Sequence, residues 1–73
     1  MNEILQFLKK HGEQFDTEIA AATGMSLTDV YLYLSHLVAK GDVVAHRSVR
    51  LEKGKEVVGI SCRLVGLFHQ RPL

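Results

Sequence analysis

TEIAAATGMSLTDVYLYLSHLVAKGDVV, residues 17–44, holds two helical patterns separated by three residues, followed by a change of period. Asp16 or Thr17 can cap the first helix, with Glu18 in its first turn and Ile19 and the run of alanines at 20–22 offering small surfaces for close packing. Gly24 stops that helix. Ser26-Leu27-Thr28-Asp29 has the Ser-x-x-Asp form of a capping box, in which hydroxyl and carboxylate satisfy each other's orphan backbone donors. Leu27, Val30, Leu34, Leu37 and Val38 then recur at three- and four-residue intervals, the buried stripe of a helix about three and a half turns long. Gly41 is a natural left-handed stop, and Val43-Val44 opens a stretch with strand chemistry.

Outward from this stretch the pattern stays regular. Upstream, Ile4, Leu5, Phe7 and Leu8 share most of one helical face, Lys9 and Lys10 suit the last turn, and His11-Gly12 ends the helix. Downstream, Val43, Val44, Val49 and Leu51 lead into Glu52-Lys53-Gly54-Lys55, and Val57, Val58, Ile60, Cys62 and Leu64 follow. β-Branched runs on either side of a short polar segment with glycine read as a hairpin. In its second strand Val58, Ile60, Cys62 and Leu64 alternate with Gly59, Ser61 and Arg63, which predicts one apolar face and one face open to water. The expected architecture is α+β: three helices followed by a two-stranded β-hairpin wing, a winged helix-turn-helix over residues 1–66 with an irregular tail at 67–73.

Composition narrows the function classes. The chain has 73 residues, 47% apolar and 23% charged. That is enough for one core and no more, since a chain this short buries only about 60% of its unfolded surface. No apolar run approaches the length of a membrane span and the start lacks a signal-peptide pattern, so a cytoplasmic location is expected. Cys62 is the only cysteine, which excludes an internal disulfide and predicts a small buried hydrophobe. His11, His36, His46 and His69 form no i, i+3 or i, i+4 pair of the kind a metal site uses. With no nucleophile elbow, phosphate-cradling glycine loop or paired acid and base, neither an enzyme nor a cofactor is expected.

Charge is distributed unevenly. Residues 1–42 carry three lysines against six acids, whereas residues 43–73 carry six cations against two acids. A cationic C-terminal half draws a polyanion to that side, and double-stranded DNA is the first candidate. A helix-turn-helix offers its second helix to the major groove, and a ribbon after it reaches phosphates or the minor groove. With the apolar stripe buried, Thr28, Tyr31 and Ser35 form an outward row from the N-terminal end of that helix, where base edges are normally met. Thr and Ser bond either base and Tyr bonds a phosphate. Arg47, Arg50, Lys53 and Lys55 cluster around the ribbon and its tip as phosphate contacts. The competing reading of those cations is that edge strands carry charge to prevent aggregation. An exposed Leu32 beside Tyr31 suits a protein contact, so a winged-helix interaction module that does not bind DNA by itself is the alternative.

The order Thr17-Glu18-Ile19-Ala20, then Leu34-x-x-Leu37, then Lys40-Gly41-x-Val43 resembles winged-helix transcriptional regulators generally. Asn2-Glu3-Ile4-Leu5-x-Phe7-Leu8, Thr17-Glu18-Ile19-Ala20 and Tyr33-Leu34 are similar to the small fimbrial-operon regulators of the PapI and FaeA kind, over about residues 2–64. The resemblance implies a regulator acting at an operon promoter alongside the leucine-responsive global transcription regulator. The position of Tyr31 is basic in those proteins, and this helix has no Arg or Lys before Lys40. Weak DNA binding by the single domain is therefore expected, with a homodimer or a partner regulator supplying the remaining contacts.

Overall fold

The computed structural model describes residues 3–65, in the order α1 (Glu3–His11), β1 (Gln14–Phe15), α2 (Asp16–Thr23), α3 (Leu27–Ala39), β2 (Val43–Glu52) and β3 (Lys55–Leu64). This is the α+β winged helix-turn-helix that the periodicity predicts, with one strand added. The domain boundary expected at 66 and the tail at 67–73 lie outside the described residues.

Each helix ends where its sequence says. Ile4 and Leu8, one turn apart, are the buried positions of α1, and Gly12 closes it at φ +81°, its N–H donating to the Leu8 carbonyl at 2.8 Å. At α2 the cap differs from expectation. Neither Asp16 nor Thr17 is the N-cap: Phe15 is, and the Glu18 carboxylate accepts the Phe15 N–H at 2.7 Å. Asp16 lies inside the first turn, where its carboxylate accepts from Thr17 N–H at 2.9 Å and from Ile60 N–H of β3 at 3.2 Å. A long-range donor has recruited the residue that local rules reserve for the cap. Gly24, Met25 and Ser26 make the turn, and Ser26 Oγ accepts the Asp29 N–H at 3.1 Å, one half of the expected capping box.

Val30, Leu34 and Leu37 of α3 are buried, and with Ile4, Leu8, Ile19, Val43 and Cys62 they make the core. Burying each such side chain contributes roughly 1.5–3 kcal/mol. Leu27 and Val38, expected in the same stripe, are exposed at 39% and 43%. The stripe is narrower than the sequence suggests because α3 is covered from one side only, by α2 and the sheet.

β2 and β3 pair in ten consecutive antiparallel steps from Val43↔Leu64 to Glu52↔Lys55, around a two-residue turn in which Lys53 and Gly54 both have positive φ (+54° and +78°). Ten residues extend about 33 Å, whereas the 13 residues of α3 span about 20 Å, so the hairpin overshoots the helices. Val58, expected on the buried face, is therefore 55% exposed. The sheet order is β1-β3-β2. β1, two residues long, pairs Gln14 with Cys62 and Phe15 with Ser61. The Phe15 side chain covers the face of β3 expected to meet water: Ser61 is 4% exposed, and the ring lies where a Cβ on Gly59 would come within 2.7 Å of it. Glycine at 59 is what lets the ring seat there.

Candidate nucleic-acid interface

Residues that share a register position share a face, so the hairpin has two distinct sides. One side carries Ala45, Arg47, Val49, Val58 and Ile60 and faces α3. The other carries His46, Arg50, Gly59 and Ser61, shares Phe15 of β1, and meets Glu18 of α2.

On the β1 side the charges are engaged within the molecule. Arg50 donates from Nη1 and Nη2 to the two Glu18 oxygens at 3.0 and 3.2 Å and from Nη1 to Glu52 at 3.3 Å, and its guanidinium carbon lies 3.8 Å from the Phe15 ring centroid. The Arg50 hydrogen bonds hold the Glu18 carboxyl below its ordinary value, with help from the Phe15 N–H. Ser61 donates to Glu13, whose carboxylate lies 3.8 Å from His46 Nε2. Three of the six acids of the N-terminal half, Glu13, Asp16 and Glu18, are thereby turned onto the sheet.

Between α3 and the hairpin lies an open groove of about 680 Å³, lined by Tyr31, Leu34, Ser35, Val38 and Ala39 from the helix and by Ala45 and Ile60 from the sheet. Its lining is apolar apart from the Ser35 and Tyr31 hydroxyls. Tyr31 Oη donates to Asp16 at 2.6 Å, which fixes the ring at the groove wall and raises the phenol above its ordinary value, since ionising it would place two negative charges together. Its proton is thus committed to Asp16.

The structure brings some predicted residues together and separates others. Tyr31 and Ser35 line the groove, Arg47 stands at its rim opposite Ile60 in the β2–β3 register, and Thr28 is exposed in the first turn of α3. Lys53 and Lys55 are exposed at the hairpin tip. Arg50 is apart from these, on the β1 side and fastened to α2. Among the described residues Arg47, Lys53 and Lys55 enter no ion pair, while Lys40 lies 3.7 Å from Asp42. The exposed apolar residues of the hairpin, Val49, Leu51 and Val58, were not singled out from sequence. Their signal was available in strands too long for the helices to cover.

Cys62 is fully buried, donates weakly to the Ile60 carbonyl at 3.6 Å, and has its thiol pushed up to about 12, first by burial and then by Asp16 and Glu13. It is a packing residue rather than a reactive thiol. Among the described residues no group of His, Cys, Asp or Glu side chains is placed to hold a metal ion, and no helix is long and apolar enough to cross a membrane. Compared with known protein families and with curated proteins, the chain matches none.

Proposed function

We propose that the chain is a DNA-binding transcriptional regulator that sets the N-terminal half of α3 in the major groove and lays the hairpin along the phosphate backbone. The observation that carries the reading is the placement of the cations without ion-pair partners. Arg47, Lys53 and Lys55 run from the groove rim to the tip of the hairpin, while three of the six acids of the N-terminal half, Glu13, Asp16 and Glu18, are engaged within the molecule. Thr28 and Ser35 supply hydroxyls to base edges, and the Tyr31 ring, held by Asp16, supplies a rigid wall. Arg50 has a positioning role: it holds the hairpin at a fixed angle to α2.

Three phosphate contacts give weak, salt-sensitive binding. Regulatory affinity therefore requires a second set of contacts, from another copy of the chain or from a global regulator bound beside it. The apolar groove favours a second reading, a winged-helix module that binds another protein, and the same assay separates the two. Purified protein is titrated against duplexes selected from a random library at two salt concentrations. A recovered sequence motif that relaxes on Ser35→Ala or Thr28→Ala supports DNA recognition. Absence of any binding at low salt overturns it.

A further inference from the structure

We infer that the free edge of β2 pairs with the same edge of a second copy of this chain, antiparallel about a two-fold axis at Val49, to make a continuous six-stranded sheet. The inference gives a surface to the self-association named above and does not require DNA, so the two readings fail separately.

In the order β1-β3-β2, β2 is an edge among the described residues, ten residues long, in unbroken register and without proline or bulge. Natural edges of this length are usually blunted by lysine, proline, a bulge or a covering segment. In a two-residue hairpin the residues flanking the turn, Glu52 and Lys55, form a hydrogen-bonded pair, and hydrogen-bonded and open pairs then alternate along the ladder. The backbone groups of Ser48, Arg50 and Glu52 are directed to β3, and those of Arg47, Val49 and Leu51 are directed outward. A partner strand must match outward residues with outward residues, which requires the axis to pass through a residue rather than between two.

Charge and the length of strand paired then select the residue, since an axis at Leu51 also avoids like charges but pairs only Arg50 to Glu52 within β2. An axis at Arg47 or Arg50 stacks two arginines, and an axis at Ser48 sets His46 against Arg50 of the second copy. At Val49 the pairs become Val49 with Val49, Arg47 with Leu51, Ser48 with Arg50 and His46 with Glu52, so that no like charges meet and one pair is complementary. Val49 and Val58 are directly opposed in the hairpin and are 57% and 55% exposed. Their counterparts complete a band of four valines across the joint, flanked by Leu51, which is 71% exposed in the single chain. Cross-strand β-branched pairs of this kind are the unit of sheet stabilisation.

The test uses the full chain. Sedimentation equilibrium over a concentration series is expected to show a monomer–dimer equilibrium in wild type that Val49→Asp abolishes, with circular dichroism verifying that the variant is folded. Val49→Cys is expected to form a covalent dimer on mild oxidation, because paired residues on the axis have Cα atoms about 5.5 Å apart, within disulfide reach. Leu51→Cys should not cross-link, because it faces Arg47 of the second copy, whereas Arg47→Cys together with Leu51→Cys should. The buried Cys62 gives no background. A wild-type chain that stays monomeric throughout, or cross-linking at position 51 alone but not at 49, overturns the inference.

Discussion

The two faces of the hairpin start from the same strands and end in opposite conditions. On the face shared with Phe15, Arg50 holds Glu18, Ser61 holds Glu13, and the Phe15 ring closes over Gly59. Toward α3, the same strands present an apolar groove, an uncovered pair of valines and Arg47. A positive charge in the sequence is therefore evidence for a polyanion only after its neighbours are known. Arg50 and Arg47 are indistinguishable by composition and lie three residues apart. One fastens the wing to the body, and the other enters no ion pair.

Substitutions that break the comparison should cost most in the core and on the engaged face, and least on the open face. Leu34→Ala, where the groove meets the core, is expected to cost about 2–5 kcal/mol in chemical denaturation, because it opens a cavity among the buried residues of α3 and the sheet. Asp16→Ala strands the Ile60 N–H, the Thr17 N–H and the Tyr31 hydroxyl, and should cost at least about 1–3 kcal/mol by the same measurement. Gly59→Ala drives a methyl group against the Phe15 ring and should cost about 1–3 kcal/mol. On the open face, Val58→Thr should stay within about 0.5 kcal/mol. If Gly59→Ala and Val58→Thr are equally mild, the two faces are not distinct.

The fastened face also carries a pH signature. The Glu18 carboxyl is held below its ordinary value of 4.5 in the folded state, so its contribution is fully present above that value and is lost as pH falls through the depressed folded one. Arg50→Ala should remove this part of the acid-side dependence. The change will be small, since the pair is partly exposed and solvent-screened. Acid titrations of the two proteins followed by circular dichroism check it, and superimposable curves would mean that the pair does not form in solution.

Much of the fold was legible in the sequence because its signals are local. Gly12, Gly24 and Gly41 mark the helix ends, Ser26 caps α3, and the change of period after Gly41 marks the hairpin. What escaped depends on contacts distant in sequence. Two residues of β1 have no period to detect, and without β1 the burial of Ser61 and the need for glycine at 59 have no explanation. Asp16 read as a cap because nothing local announces the Ile60 N–H that claims it. The candidate site was legible in part: the α3 row and the tip lysines lie where periodicity and turn chemistry put them. The ion pair between Arg50 and Glu18 spans 32 residues and is visible only in the folded chain.

In the proposed mode of binding, Arg47 and the tip lysines meet DNA while Arg50 does not. The salt dependence of affinity for a mixed-sequence duplex tests it directly, because each phosphate contact contributes about 0.9 to the slope of log affinity against log salt. Arg47→Ala alone should lower that slope by about one contact, and Lys53→Ala with Lys55→Ala by about two, whereas Arg50→Ala should leave it unchanged. A slope that falls with Arg50→Ala and is indifferent to the other three substitutions would contradict that mode of binding.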